Sequence, residues 1–486
     1  MQSHQDIHDY IIAIESDFPV DTWVIDGIHV WPYLRIKIYY ALIHQVEGIS
    51  ADEINTITQD KVGGLRSYKL KLGELFYYLK SILSSRRQPV IFATLALYRI
   101  NYNGTLFHKF FDAMIQSNQL EQKVEIVEIQ GSTSGCYNQA AIIDGIRLRN
   151  GYRVRQKLLN WLSINEKPSE TFYVPQYDLF LERLISDGWI DIENNLESHS
   201  IIKWAQKVKF TSKVYRELFT KRNTKRFVTI SYYGFDDMAA ALFAANALGI
   251  ETIDFQHGPQ TNVHMAYSSW TKIPANGFNT MPKFYWNWDE RSKNNIQSWL
   301  KKPNASKKVG HPWLAMTQEK KSFGENRDFL YTLQLINHSN ITYFFPEQLL
   351  KVMKRERYSW ILRVHPRNTV AVDLIDAFLE SKKVPKNNYA IELPSARSLA
   401  SSLNACRVHI TNYSGCVLEA SMLNRKSVVI DKTGYQFYKN YIDDVSIYFV
   451  DKQRPDFSTV LMDIHAISSF NEKNVKLEIF DPFTGL

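Results

Sequence analysis

From residue 328 to residue 431 short apolar runs alternate with helical patterns almost without interruption, and this constrains the fold of the 486-residue chain more than any other feature. Residues 328–334, the run ending at Val364, 389–392, 408–411 and 427–431 have the length and apolar character of buried strands. Between them, 347–354, 370–379, 398–404 and 416–423 carry helical spacing. A strand, a helix and a second parallel strand join through a right-handed crossover, so so long an alternation predicts a doubly wound parallel sheet. The same unit appears earlier: 226–231 reads as a strand, 237–248 as a helix and 251–255 as the parallel neighbour. Residues 89–94, 124–129 and the aromatic run 282–288 supply further strands.

A chain this long exceeds one core, and two lobes are expected. Residues 1–87 form a helical N-terminal region, from the spacing in 31–42 and 70–83. Residues 88–310 form the first Rossmann-like lobe, with a helix beginning in 107–114 and a helical insertion at about 138–220. The turn at 308–313 opens the second Rossmann-like lobe, 311–486. The predicted class is α/β, two doubly wound parallel-sheet lobes.

With 45% hydrophobic and 22% charged residues the composition is that of an ordinary globular protein, which excludes disorder. The formal charge of +8 is modest, but cations cluster at 66–71, 80–87 and 147–157. Such runs are ordinarily solvated faces; if they act, anionic lipid or an anionic glycan is a better partner than DNA, since no nucleic-acid module is recognised. Cys136, Cys406 and Cys416 are odd in number and suit a reducing cytoplasm rather than a disulfide framework. The first ten residues lack signal-peptide character and no apolar run reaches the ~20 residues of a membrane span. The expected location is cytoplasmic, with any membrane association peripheral and at the inner face of the cytoplasmic membrane.

Two strand–turn–helix junctions stand out. In the first, His365 lies beside Pro366 and between Arg363 and Arg367 where a strand ends, so it emerges at the carboxyl edge of the sheet, where open α/β sheets bind ligands. An imidazole and guanidinium groups there can hydrogen-bond phosphate oxygens. In the second, Asn412-Tyr413-Ser414-Gly415 leads into a helix: Ser414 is placed as an N-cap, and Gly415 lets the backbone approach an anion closely. Glu419, a charge within an apolar stretch, can accept from two ribose hydroxyls. Together these residues predict a pocket for the phosphate and ribose of a nucleotide.

In the first lobe the strand 251–255 ends in Gln256-His257-Gly258, and His257 can take a proton from an acceptor hydroxyl. Asp236 and Asp237 also emerge at a sheet edge, and either can be the base instead or cap the following helix. His409, inside a strand, reads as a core histidine. The chain has no Asp-x-Asp pair, P-loop, Gly-x-Gly-x-x-Gly or His/Cys metal spacing, so the expectation is metal-independent chemistry without a cofactor.

The residues Gln256-His-Gly258, His365-Pro366 and Asn412-Tyr-Ser-Gly-x-x-x-Glu419 resemble, in order and separation, the GT-B glycosyltransferases of bacterial surface-polysaccharide assembly. That broad group includes capsule and O-antigen transferases of lipopolysaccharide, Kdo transferases, polysialyltransferases and CDP-glycerol polymer synthases. The resemblance covers about 226–450. It implies a nucleotide-sugar donor held by the second lobe and a glycan or lipid-linked glycan acceptor held by the first, across a cleft. It also implies phosphate contacts from His365 and Ser414, and by analogy with many such enzymes a ribose contact from Glu419. Sialyltransferase-like members have two serines where this chain has Ser414-Gly415 and use an acidic base; polymer synthases use the histidine of a motif like 256–258. The reading leans to a CMP-linked acidic sugar, because one phosphate needs fewer cations than two. The alternatives are CDP-glycerol or a UDP- or GDP-sugar as donor, a nucleotide-sugar epimerase, and a non-catalytic scaffold of a polysaccharide assembly complex.

Overall fold

The computed structural model describes residues 3–47, 65–84, 86–131, 133–160, 173–188, 196–318, 326–368, 370–469 and 476–486. The chain divides into two compact units, one of Met1–Gln260, His264–Val309 and Phe480–Leu486, the other of Thr261–Val263 and Gly310–Ile479.

In the first unit seven strands lie in the order Ser306–Lys308, Phe284–Asn287, Glu251–Phe255, Arg226–Ile230, Val90–Thr94, Val124–Glu128 and Ile142–Asp144. All neighbours are parallel. Val90–Thr94 and Arg226–Ile230 are buried at every position, as central strands covered on both faces must be. In the second unit the order is Tyr389–Glu392, Trp360–Arg363, Arg327–Thr332, Cys406–Thr411, Lys426–Val429 and Ile447–Phe449, again all parallel. Counted along each chain segment, both sheets read 3-2-1-4-5-6, with a seventh strand on the edge of the first. The direction of winding therefore reverses between Val90–Thr94 and Arg226–Ile230 in one unit, and between Arg327–Thr332 and Cys406–Thr411 in the other. The crevice outside the carboxyl ends at such a reversal is where doubly wound sheets take ligands.

Several expectations change in detail. The N-terminal helices His4–Asp17, Trp31–Glu47 and Leu65–Leu83 are built into the first unit: Ile7, Trp23, Trp31 and Leu34 belong to the same apolar cluster as Val127 and Phe227. A fully buried Glu15–Arg35 ion pair of 2.7 Å fixes the first two helices, and the Thr271 hydroxyl donates to Glu15 at 2.6 Å. The expected helical insertion at 138–220 also contains the sheet's edge strand, Ile142–Asp144, before its helices Gly145–Asn160, Tyr177–Ser186 and Ser198–Arg222. No helix starts at 107; Arg99–Tyr102 and Thr105–His108 form a hairpin, turning through Asn103 (φ 51°) and Gly104 (φ 80°), and the helix Phe111–Ser117 follows. The expected span of the second lobe, 311–486, loses its tail, because Phe480–Leu486 returns to the first unit. There Arg226 donates to the Pro482 and Thr484 carbonyls at 2.5 and 3.1 Å. Of the cation cluster 66–71, the side chains of 66–70 lie outside the described residues. Among the described residues no helix is long and apolar enough to cross a membrane.

Candidate functional site

In the second unit both junctions emerge at the carboxyl edge, on either side of Arg327–Thr332. Thr332 pairs with Arg363 on one side and with Thr411 on the other, so the roots of the two turns are roughly 10 Å apart, two strand spacings. The segment leaving the middle strand ties both down. Gln334 Nε2 donates to Thr411 Oγ1 at 3.3 Å, and Asn368 Nδ2 donates to the Ile336 carbonyl at 2.7 Å. Thr411 Oγ1 donates to the Thr332 carbonyl at 3.1 Å and accepts from Ser414 N at 3.0 Å, closing the second turn.

His365 is half-buried, and its Nδ1 accepts the Arg367 backbone N–H at 3.2 Å. An acceptor Nδ1 puts the ring proton of the neutral tautomer on Nε2, as a donor. Partial burial, then the Arg367 guanidinium, lower the pKa, so the ring stays neutral to a lower pH than an ordinary histidine. Arg367 is exposed. Arg363 departs from expectation. It is buried, ion-paired with Glu392, and donates to Ser402 Oγ at 3.0 Å and to the Arg397 carbonyl at 3.1 Å, so both terminal nitrogens of its guanidinium are engaged in holding the sheet edge together.

Ser414 is half-buried and accepts from Cys416 N at 3.4 Å, but the helix Cys416–Met422 has Gly415 at its N-cap position and is only two turns long. Asn412 is fully buried; Lys452 Nζ donates to its Oδ1 at 3.4 Å and is itself paired with Asp431 at 2.7 Å. Asn412 thus anchors the turn from below. Glu419 lies 3.6 Å from His311 Nε2, and His311 Nδ1 accepts from Leu314 N at 3.2 Å, so the proton of a neutral His311 sits on Nε2, facing the carboxylate. His311 was not anticipated; its signal was a second His-Pro pair, His311-Pro312, matching His365-Pro366. His409 is a core residue as expected, bridging Thr332 and Ser427 at 2.9 Å each, with its pKa pushed down to about 3 by burial.

In the first unit His257 is half-buried at the carboxyl edge, one strand from the winding reversal. Its Nε2 lies 3.1 Å from Ser231 Oγ and its Nδ1 3.5 Å from Tyr267 Oη. Tyr267 donates its only proton to Asp254 Oδ2 at 2.9 Å. Nδ1 therefore carries the imidazole proton toward Tyr267, and the Nε2 lone pair faces Ser231. Asp254 is buried in the middle of the sheet and also accepts from Tyr232 N and Thr229 Oγ1 at 3.1 and 3.2 Å. Burial outweighs these donors and pushes its pKa up to about 7. Desolvation pushes His257 down to about 3, among the rings of Tyr98, Tyr233 and Tyr267. Ser231 adopts φ 59°, the left-handed region a side chain seldom takes, as the chain turns off its strand. Asp254, Tyr267 and Ser231 were not anticipated as site residues; the one available signal was an acid inside an otherwise buried strand.

The remaining first-unit candidates have other partners. Asp236 accepts Trp204 Nε1 at 3.0 Å and pairs with Lys207 at 2.5 Å; Asp237 is buried and pairs with Arg149. Both carboxylates fasten their helix to neighbouring helices, and the second oxygen of Asp237, Oδ1, is buried without a hydrogen-bond partner among the described residues. Gln256 is buried, accepting from Trp288 N at 2.8 Å and donating to Ser292 Oγ at 3.2 Å and to the Gly258 carbonyl at 3.1 Å, so it shapes the turn rather than facing a ligand. A methyl group at Gly258 would meet nothing within 4 Å.

No protein-family model and no curated protein sequence matches the chain. Solved structures do align with it. The UDP-GlcNAc 2-epimerase from Methanocaldococcus jannaschii is 12% identical, covering 80% of this chain and 94% of its own, with a TM-score of 0.42. The UDP-GlcNAc 2-epimerase from Neisseria meningitidis bound to UDP-GlcNAc is 12% identical over 78% of this chain and 91% of its own, at 0.44. The glycotransferase of kitacinnamycin is 11% identical over 79% and 92%, at 0.42.

Proposed function

We propose that the chain is a glycosyltransferase that moves a sugar from a nucleotide-activated donor to a glycan acceptor, with the donor nucleotide held at the winding reversal of the second unit. The observation that carries this reading is the shared edge: the His365 and Ser414 turns flank one strand and are joined through Gln334 and Asn368, which makes one polar crevice where a doubly wound sheet takes its ligand. There His365 Nε2–H donates to the departing phosphate, assisted by Arg367 and by Ser414 and the N–H groups of Gly415 and Cys416. Glu419, oriented by His311, accepts from the ribose hydroxyls.

With Arg363 committed to Glu392, that turn offers one guanidinium, which suits a monophosphate leaving group and supports a CMP-linked acidic sugar as donor. His257 is the proton acceptor. The attacking hydroxyl replaces Ser231 at Nε2, the imidazole proton stays on Nδ1 against Tyr267, and the Asp254 carboxylate behind Tyr267 offsets the charge that develops on a ring otherwise slow to bind a proton.

Thermal melting of the full chain with CMP, CDP, UDP and GDP tests the reading. At about one hundred times its Kd the preferred nucleotide adds about 2.7 kcal/mol, and CMP is expected to give the largest shift. In His365→Ala the shift with that nucleotide shrinks and transfer falls on the order of a hundredfold or more, while the melting point without nucleotide is unchanged, as befits a half-buried edge residue. A full nucleotide shift in His365→Ala, or no shift with any nucleotide, overturns the assignment.

A further inference from the structure

The helix Leu65–Leu83 carries an apolar stripe that no described residue of its own unit covers. Leu72, Phe76, Leu79 and Leu83 recur at the spacing that puts them on one face, and they are 63%, 70%, 38% and 72% exposed. The opposite face is the one the protein uses. Tyr78 and Ile82 are buried, Tyr77 Oη accepts from Asp144 N at 2.7 Å, and Gly151 of the helix Gly145–Asn160 presses so closely on the Glu74 carbonyl and Tyr78 that a Cβ there would overlap them. Arg147 pairs with Glu74 at 3.7 Å and Arg155 donates to Tyr78 Oη at 3.2 Å, so the two helices run parallel and in step. That register brings the end of the second helix beside Leu83, where Leu158 and Leu159 are 51% and 43% exposed.

Among the described residues the charges flanking the stripe are cationic. On the helix, Lys71 and Lys80 fall on opposite flanks of the stripe, and Arg86, Arg87 and Lys157 lie beyond its end; all five are exposed. Glu74 is turned inward to Arg147. An apolar strip flanked by cations is the pattern of a helix lying in a membrane interface, its side chains in the acyl boundary and its ammonium groups among anionic headgroups. A second copy docked face to face would set the same cations against one another.

We propose that this face of the first unit, residues 71–83 with residues 157–159 at the end of the neighbouring helix, binds the surface of an anionic lipid bilayer. The inference stands on the helix alone and does not depend on the proposed transferase activity. The test is flotation of the full chain with vesicles of phosphatidylcholine alone and of phosphatidylcholine with phosphatidylglycerol in a two-to-one ratio. Binding is expected to the anionic vesicles and to weaken as salt is raised. Phe76→Glu should lower the partition coefficient at least tenfold, and Lys80→Ala and Arg86→Ala about fivefold each, with melting points held at the parental value because all three side chains are exposed. Failure to float with anionic vesicles, equal flotation with neutral ones, or unchanged flotation of Phe76→Glu overturns the proposal. So does a concentration-dependent dimer by light scattering that Phe76→Glu abolishes, since a second copy would then be the occupant.

Discussion

The two units share one winding and line its reversal with opposite chemistry. In the first, the edge is a cluster of Tyr98, Tyr233, Tyr267 and two histidines held neutral, with one buried carboxyl, Asp254, behind them. In the second, it is a lattice of hydroxyls, amides and backbone groups, Thr332, Gln334, Thr411 and Ser414, with a histidine at either end, His365 and His311. Topology thus makes the two edges alike, and side chains make them differ: aromatic rings around neutral histidines in one, hydroxyl, amide and backbone groups in the other.

The comparison breaks most severely at Gly434. An added methyl there would overlap the Asn412 carbonyl oxygen and lie 2.5 Å from Val429 Cγ1, in a helix, Lys432–Tyr438, that supports the polar turn from below. Gly434→Ala is expected to destabilise the second unit by about 3 kcal/mol and to abolish nucleotide-induced thermal shifts. Gly151→Ala places the same overlap in the first unit, against the Glu74 carbonyl, far along the chain from His257. It should lower stability and leave the nucleotide shift in place. Equal effects of the two variants on the nucleotide shift would mean that the second crevice is not the nucleotide site.

What could be read in the sequence, and what could not, follows the distance over which each feature is decided. Strands, helices and the two turns are set by local periodicity and turn residues, and the run from 328 to 431 folds as its alternation predicts. Whether a polar side chain at a strand end faces a ligand or a neighbour is set elsewhere in the chain. Glu392, 29 residues on, takes Arg363; Arg149, 88 residues back, takes Asp237; Trp288 and Ser292 take Gln256. His365 and His257 each lie two residues past the end of a strand, and among the described residues no carboxylate is ion-paired with either ring. Asn103-Gly104 marks a turn, but the four-residue strands on either side are too short for their alternation to stand out, which is why 107–114 reads as a helix instead.

Histidine burial sharpens the comparison further. His409 sits wholly inside the second sheet and His257 at a half-exposed edge, although burial lowers both to about 3. A histidine whose folded pKa lies below its unfolded value near 6.5 stays neutral in the fold while the unfolded chain takes up protons, so stability is lost as pH falls from about 6.5 toward 3. At pH 5 the loss for His409 is about 2 kcal/mol. His257, part of whose ring regains water, should contribute less. Denaturant melts between pH 5 and 7 are expected to show a flatter acid limb for His409→Gln than for His257→Gln. The reverse order would mean that the first edge is closed to solvent.

The smallest expected effect separates a proton-handling edge from a merely packed one. Among the described residues Tyr267 alone hydrogen-bonds Asp254 and lies within reach of His257, whereas His365 in the second unit is oriented by its own turn's backbone. Tyr267→Phe keeps the ring and removes the hydroxyl, leaving Asp254 with Tyr232 N and Thr229, at a cost of about 1 kcal/mol. With one donor fewer, the Asp254 carboxyl rises further above its present value of about 7 and is less often charged at neutral pH. Were the edge only packing, the variant would melt slightly lower and transfer at the parental rate. As the support of a base, it should lower kcat roughly tenfold or more with KM for the donor unchanged. The nucleotide shift should be intact, because the proposed nucleotide site lies on the other sheet.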